Sequence, residues 1–333
     1  MDDHPRERPH DAPAPAWAID PFLRTVRVAP CMTARGDAER GRRPWLRYGP
    51  VPPFRSPSAP GTRRARAEFA AAVERRELRI EFQPIAGVAS GRIEAFEALL
   101  RWRHPRRGLL RPRDFLGEAE AAGVLQLVTP FVLGVACDAA ARWNTGAPHP
   151  VAVSVNLSGC QLAQPQLPEL VEAALAEHEL DPARLWFEIT EDTGAREARS
   201  RVGTLLTLRR LGTRLALDDF GAGSASIACL LELPLDAVKL DRSLMRMSDS
   251  RRGARVLAAC ADIAHALGIP TVAEGIERAD QLARVQALRC EYGQGDYFGR
   301  PAPRGAADRA AVVGWPWTAA RAQTASLGQT SSG

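Results

Sequence analysis

The stretch LALDDFGAGSASIACLLELPLDAVKLD, residues 215–241, has the pattern of a strand, a helix and a second strand. The first apolar run ends in Asp218 and Asp219, and the second ends around Lys239. Of the 44 basic residues of the chain, Lys239 is the single lysine and all others are arginine. Lysine and arginine are not equivalent where a compact point charge is needed. Chance placement of the lysine is the alternative, but the pattern indicates a charged site at the ends of neighbouring strands.

The same alternation of short apolar runs and amphipathic helices continues on both sides of this stretch. It is typical of a parallel sheet with helical crossover connections. No glycine-rich phosphate loop follows the first strand, which disfavours a dinucleotide-binding sheet. Eight predicted strands favour an α/β fold of the (β/α)8 barrel type, which needs roughly 250 residues. The predicted strands cover residues 78–85, 93–102, 151–158, 184–190, 214–220, 236–241, 269–275 and 290–298.

The chain divides into three predicted parts. Residues 1–65 hold 12 of the 26 prolines and 12 arginines against 7 acidic residues, and they are predicted to be mostly disordered. Residues 66–310 are predicted to form the barrel, and residues 311–333 a polar tail. The net charge of +5 belongs entirely to the first part. A neutral barrel argues against a nucleic-acid groove, so nucleic-acid binding is not expected.

Composition also limits the compartment and the kind of metal site. The six cysteines show no CxxC spacing and lie mostly in apolar runs, as expected for buried free thiols in a reducing compartment. The six histidines show no zinc-ligand spacing. The first ten residues do not begin a signal peptide, and the most apolar run, residues 124–137, is too short to span a bilayer. We therefore expect a cytoplasmic protein with no membrane span.

Polar residues stand at or near the ends of the predicted strands, where strands of a barrel converge on the face that carries active sites. Each alone has an ordinary explanation as a helix cap or a turn residue. Together, clustered carboxylates would repel one another without a cation among them. Oxygen ligands indicate Mg²⁺, Mn²⁺ or Ca²⁺, and adjacent aspartates suggest a two-metal site for phosphate-ester displacement. The residues concerned are Glu97, Asn156, Glu188, Asp218, Asp219, Lys239, Asp241, Glu274 and Gln294.

Eight short motifs closely resemble, in order and spacing, those of the EAL-domain cyclic di-GMP phosphodiesterases. The resemblance covers about residues 66–305. The motifs are QPI at 83–85, EALLRW at 97–102, SVNLS at 154–158, EITE at 188–191, DDFG at 218–221, KLD at 239–241, AEGIE at 273–277 and QG at 294–295.

The resemblance implies a barrel whose first strand is antiparallel to the others, and hydrolysis of cyclic di-GMP to linear pGpG with Mg²⁺ or Mn²⁺, Ca²⁺ being inhibitory. It implies that Lys239 holds the catalytic water and that Glu274 is the general base. The other implied roles are metal ligands for Glu97, Asn156, Glu188, Asp218 and Asp219; substrate contacts for Gln83, Arg101 and Gln294; bracing of the loop after the fifth strand for Glu191; and support for Asp241 and Glu277.

The chain departs from the family pattern in two places. Residues 222–226 read AGSAS and lack an aromatic residue and a hydroxyl of the family's loop, which helps to order the second metal and a homodimer contact. Asp296 stands where the family has tyrosine after Gln-Gly. A carboxylate added near a phosphate pocket is expected to weaken substrate binding.

Three functions are therefore open at this point. The complete set of metal-ligand types favours an active phosphodiesterase. The altered loop and Asp296 favour a non-catalytic cyclic di-GMP receptor or protein-interaction module on the same fold. An arginine-rich nucleic-acid binder rests on residues 1–65 alone.

Overall fold

The computed structural model describes residues 60–121, 123–147, 149–190, 198–222 and 227–313. The predicted N-terminal segment and polar tail lie almost entirely outside these residues. The strands occur close to the predicted positions, because apolar and β-branched runs determine them. They are β1 (Leu78–Gly87), β2 (Ile93–His104), β3 (Gly108–Leu110), β4 (Ala152–Leu157), β5 (Leu185–Thr190), β6 (Arg214–Phe220), β7 (Ala237–Leu240), β8 (Thr271–Ala273), β9 (Tyr292–Gln294) and β10 (Ala302–Pro303).

Eight of these strands close into a barrel. β2 pairs in parallel with β4, and parallel pairing continues in chain order to β9. β1 closes the ring because it pairs antiparallel with both β2 and β9. The predicted (β/α)8 fold with an antiparallel first strand is confirmed. β3 and β10, which the sequence did not reveal, are short additions to β2 and β1.

The helices surround the barrel, with two differences from the prediction. The segment 112–123 begins with a 3₁₀ turn (Pro112–Asp114) before a short helix. A short helix over Arg242–Met247, labelled α8, follows β7 directly because Asp241 caps it. Asp241 Oδ1 accepts a hydrogen bond from the Ser243 amide at 2.8 Å. The helices are α1 (Pro60–Glu74), α2 (Leu116–Ala121), α3 (Leu125–Asn144), α4 (Gly159–Leu162), α5 (Leu167–Glu177), α6 (Ala198–Arg210), α7 (Ile227–Glu232), α8 (Arg242–Met247), α9 (Arg251–Ala266), α10 (Ala279–Ala287) and α11 (Arg304–Val313).

Two apolar cores stabilise this arrangement. The larger lies between the barrel and its helices and includes the fully buried Phe82, Phe96 and Phe187. The smaller fills the barrel near the N-terminal ends of its parallel strands, and we call it the lower layer. Its members are Ile85, Ala95, Ala152, Trp186, Ala216, Ala237 and Val272, with Tyr292 packed against them.

Two further expectations concern cysteines and membranes. The five described cysteines are all free thiols, and three of them are buried. Cys160 is exposed, contrary to the expected burial, because it lies at the start of a short surface helix. Among the described helices, none has both the length and the apolar character required to cross a bilayer.

Candidate active site

The predicted site residues lie one step above the lower layer. Successive side chains of a strand point to opposite faces, so residues two apart share a face. Most lower-layer residues of the parallel strands are therefore followed, two positions later, by a residue of the predicted site; Ala152 is the exception, because Ser154 follows it. These pairs include Ala95 and Glu97, Trp186 and Glu188, Ala216 and Asp218, Ala237 and Lys239, Val272 and Glu274, and Tyr292 and Gln294.

Lys239 is the centre of this upper layer. Its side chain is 2% exposed, which is unusual for a lysine unless carboxylates compensate its charge. Four carboxylates surround it, three from β2, β5 and β6 and the fourth from the residue that directly follows β8. The distances from Lys239 Nζ are 2.7 Å to Glu188 Oε2, 2.7 Å to Glu274 Oε1, 3.1 Å to Asp218 Oδ1 and 3.6 Å to Glu97 Oε2.

The proton affinities follow from this crowding. Burial alone would lower the pKa of Lys239, but the four carboxylates raise it well above its ordinary value. Burial and the charge of Glu97 raise the pKa of Glu188. Burial, opposed by Lys239 and helped by Asp218, raises the pKa of Glu274 to about 8. The lysine therefore remains charged, whereas the carboxylates compete for protons.

Glu97 is held by two amides. Its Oε1 accepts from Asn156 Nδ2 at 2.7 Å, and its Oε2 accepts from Gln294 Nε2 at 2.6 Å. Burial would raise the pKa of Glu97, but the charge of Lys239 and these hydrogen bonds lower it. Glu97 lies near the middle of β2 rather than at its end, because β2 continues beyond the barrel to pair with β3. Its carboxylate is thus ionised and fixed at the barrel mouth.

The two adjacent aspartates depend on a backbone irregularity. The pairing of β6 with β7 shifts register between Leu217 and Phe220, as in a β-bulge. Asp219 has φ +58°, in the left-handed region that non-glycine residues rarely adopt. The irregularity breaks the alternation of faces, so both carboxylates reach the same side. Burial and the charges of Asp218 and Asp241 raise the pKa of Asp219 to about 6.

The residues present fit a hard divalent cation. One oxygen from each of Asp218, Asp219 and Glu274 lies within 4.8 Å of the others. Asp218 Oδ1 is buried and accepts no hydrogen bond of good geometry from any described residue. Carboxylate oxygens are the preferred ligands of Mg²⁺, Ca²⁺ and Mn²⁺. Glu274, predicted as a base, thus groups with the aspartates. Glu97 and Glu188 are outside this group; they lie 3.6 and 2.7 Å from Lys239 Nζ, and Asn156 bonds to Glu97.

The three predicted substrate contacts line or border one cavity of about 750 Å³ above Lys239. Gln294 Nε2 also lies 3.2 Å from Gln83 Oε1. Arg101 is buried and donates from Nε to Glu81 Oε2 at 2.8 Å. Glu81 was not predicted, although it shares a strand face with Gln83 two residues later. The two-residue spacing from Gln83 was the sequence signal that could have revealed Glu81.

The supporting residues lie around the same cavity. Asp241 and Glu277 both line it, and Asp241 also caps α8. Glu191 and most of the altered loop, residues 223–226, lie outside the described residues. Asp296, whose carboxylate was expected to weaken substrate binding, accepts from Arg300 Nε at 2.8 Å. The cavity also contains three arginines that the sequence did not single out, namely Arg111, Arg242 and Arg300.

A second cavity, of about 690 Å³, adjoins the first at Glu97. It lies between the ends of β2 and β4 and the helices α2 and α3, and its lining is mostly apolar. Asn156 and Cys160 supply part of its polar edge. The barrel mouth therefore combines a charged cavity with a mainly apolar one.

Comparison with known proteins places this geometry in context. The family model described as "EAL domain" matches residues 66–301. The chain is 38% identical over 228 residues to "Cyclic di-GMP phosphodiesterase NbdA" of Pseudomonas aeruginosa, covering 68% of this chain and 29% of that protein. It is 37% identical over 238 residues to "Uncharacterized protein Rv1357c" of Mycobacterium tuberculosis, covering 70% and 78%. The chain spans under a third of the first curated relatives it matches.

Solved structures agree with the barrel. The structure described as "PaMucR Phosphodiesterase, c-di-GMP complex" has a TM-score of 0.68 and 34% identity, covering 72% of this chain and 98% of that one. The FimX EAL domain of Pseudomonas aeruginosa, at 24% identity and a TM-score of 0.66, supports the fold alone. The match to the family model covers most of the chain, and six of the eight motifs contribute residues to the lining of one charged cavity. The chain belongs to the EAL domain family.

Proposed function

We propose that this chain hydrolyses one phosphodiester bond of cyclic di-GMP to give linear pGpG, in a reaction that requires Mg²⁺ or Mn²⁺. The observation that carries the proposal is the upper layer, in which four carboxylates surround a buried lysine and one of them, Asp218, is paired with Asp219. Membership of the EAL domain family, with a relative named as a cyclic di-GMP phosphodiesterase, supports the substrate.

The protein's own groups have distinct tasks in this proposal. Asp218 and Asp219 would hold the cation, with Glu97, Asn156 and Glu188 completing the oxygen ligands of a two-metal site, and Glu274 stands beside the aspartate pair as the base. Divalent ions bound there supply charge neutralisation of the phosphate and activation of water. Lys239 orients the attacking water and stabilises the negative charge that develops on the phosphate.

Glu274 is the group suited to take the proton of the attacking water. Burial raises the pKa of Glu274 above its ordinary value, which makes its carboxylate a stronger base than an exposed glutamate. Its Oε1 is 2.7 Å from Lys239 Nζ, so the base and the lysine can contact the same water molecule.

The two cavities are of the size needed for a dinucleotide. Ligand sites of drug-sized molecules occupy roughly 300–1,000 Å³. The charged cavity, with Gln83, Arg101 and Gln294 at its wall, suits the phosphates and ribose. The mainly apolar cavity suits a purine ring. Arg101 is held by Glu81, which orients its guanidinium for phosphate.

Two finer expectations belong to this proposal. We place the reaction in the cytoplasm, because every described cysteine is a free thiol. A homodimer is supported by Ile227 and Leu231, one turn apart on α7, which are 52% and 68% exposed. A dimer contact would remove this apolar surface from water.

A turnover assay tests the function. Purified protein with Mg²⁺ or Mn²⁺ should convert cyclic di-GMP to pGpG, as separated by chromatography, and Ca²⁺ should inhibit. Lys239→Ala and Glu97→Ala should abolish conversion, whereas Arg309→Gln, an exposed change on α11, should not. Intact substrate after hours, at concentrations where the protein binds it, would contradict catalysis and leave the receptor function. The pairing of Asp296 with Arg300 removes one support of that alternative.

A further inference from the structure

The turn between β9 and β10 carries an ion pair at the cavity mouth. Arg300 donates from Nε to Asp296 Oδ2 at 2.8 Å, and both residues line the cavity above Lys239. The Arg300 side chain is 81% exposed, in contrast to the buried Arg101. Asp296 stands beside Gln294, which bonds to Glu97 in the upper layer. The pair therefore forms the outer edge of the site.

The backbone under this pair is braced on both sides. Gly299 accepts a hydrogen bond from Gln83 Nε2 at 3.1 Å, and β10 pairs with β1 immediately after Arg300. Gly295 is required in the turn, because a Cβ there would lie 2.2 Å from the carbonyl oxygen of Ile276. Arg300 therefore lies on a fixed turn, on the side of the cavity that β1 forms.

The pairing leaves part of the guanidinium available. Asp296 uses Nε, and among the described residues no other hydrogen bond or ion pair engages the two terminal amino groups of Arg300. These two groups form a planar pair of donors that can bind two adjacent acceptors at once. Arg101, by contrast, donates from Nε to Glu81 and from Nη1 to the carbonyl oxygen of Leu100, so only Nη2 has no described partner and can meet a phosphate.

The position of Arg300 decides which part of a ligand it meets. The phosphates of a cyclic dinucleotide belong at the cavity floor, with the cation ligands and Lys239. With one base in the mainly apolar cavity, the second base would lie toward the mouth of the charged cavity, where Arg300 is part of the lining. Guanine offers two adjacent acceptors, O6 and N7, and arginine binds them bidentately more often than any other base edge. Adenine replaces O6 with an amino donor.

We propose that Arg300, positioned by Asp296, recognises the O6 and N7 edge of one guanine of the substrate. This inference rests on the proposed function and names a specificity residue for it. Arg300 contacts the ligand, and Asp296 is a positioning residue that acts through Arg300. The carboxylate at position 296 thereby strengthens recognition of guanine instead of weakening substrate binding.

Steady-state kinetics and competition test the proposal. In Arg300→Gln, the KM for cyclic di-GMP should rise about tenfold with kcat within twofold of wild type. The inhibition constant of cyclic di-IMP, which keeps O6 and N7, should rise by the same factor, and that of cyclic di-AMP should not. Arg300→Lys should not restore the KM, because an ammonium lacks the planar pair of donors. Arg309→Gln serves as the matched control.

A double-mutant cycle tests the positioning role. Asp296→Ala should raise the KM for cyclic di-GMP, and the same change in the Arg300→Gln background should raise it no further. An equal rise for all three nucleotides would assign Arg300 to phosphate and overturn the guanine contact, and an unchanged KM would overturn the inference altogether. Absence of turnover by the wild-type protein would instead reject the proposed function; the same comparison of affinities, measured in Ca²⁺, would then decide the guanine contact.

Discussion

The upper and lower layers of the barrel are built on the same strands but differ in every physical property. The lower layer consists of alanines, three larger aliphatic or aromatic side chains and a tyrosine, all fitted inside the ring. Two positions further along the same strands, the upper layer holds Lys239 and its carboxylates. The lower layer closes the barrel through apolar packing, and this packing allows the upper layer to contain groups that repel one another.

The largest expected effect follows from removing the charge at the centre of the upper layer. Lys239→Ala should lower kcat for cyclic di-GMP about 10⁴-fold, roughly 5 kcal/mol, because the buried point charge that faces the reacting phosphate is lost. Lys239→Arg should also be inactive, since the larger guanidinium does not fit a 2% exposed position. Rapid-quench assays with Mn²⁺ measure both changes. Activity of Lys239→Arg above a tenth of wild type would show that any cation suffices.

The second largest effect follows from removing the largest side chain of the lower layer. Trp186→Ala should lower the free energy of unfolding by about 3–5 kcal/mol, because it opens a cavity inside the barrel. Urea unfolding followed by circular dichroism measures it. Phe187→Leu, on the opposite face of the same strand, is a control for general loss of volume in β5 and should cost less. A Trp186→Ala protein as stable as wild type would mean that the lower layer does not close the barrel.

The third effect concerns the cation and needs no turnover. Mg²⁺ or Mn²⁺ at 100 times its Kd should stabilise the protein by about 2.7 kcal/mol, because the ion binds the folded state. Asp218→Asn with Asp219→Asn should lose this stabilisation, whereas Trp186→Ala should keep it. Thermal melts with and without chelator measure the shift, with NaCl at equal ionic strength as the control. Equal shifts in wild type and the double variant would place the ion elsewhere.

The smallest effect lies in the helical layer, outside both cores. Asp138 on α3 accepts from Arg304 at 2.6 Å and from Arg142 at 3.2 Å. Burial would raise the pKa of Asp138, but these arginines lower it. A lowered folded-state pKa gives stability above the unfolded value that is lost as pH falls through the folded value. Asp138→Asn should therefore cost roughly 1 kcal/mol or less at pH 7, and the cost should shrink as pH falls through and below the ordinary aspartate range. A constant cost across this range in urea titrations would rule out the ion pairs as its origin.

The sequence predicted the barrel because each strand is a short apolar run, and it predicted the upper layer because a polar residue follows each run. It did not predict the bulge at Asp219, because no residue pattern in the sequence indicates an aspartate with a positive φ. It placed Glu97 at a strand end, whereas β2 continues into a hairpin with β3. The Asp296–Arg300 pair was equally invisible, because it depends on a turn fixed by distant contacts with β1.

Those distant contacts also determine when the site can exist. Gln83 and Gly299, which hydrogen-bond to each other, are separated by 216 positions in the chain, and β9 is the strand that joins β1 to close the ring. Contacts of such long sequence separation form late in folding, because the entropy of closing the intervening chain opposes them. During synthesis, Lys239 and its carboxylates thus emerge before the strand that encloses them. The cavity above Lys239 is completed only after residue 303 has left the ribosome, so a prematurely terminated chain carries the charged residues without the cavity around them.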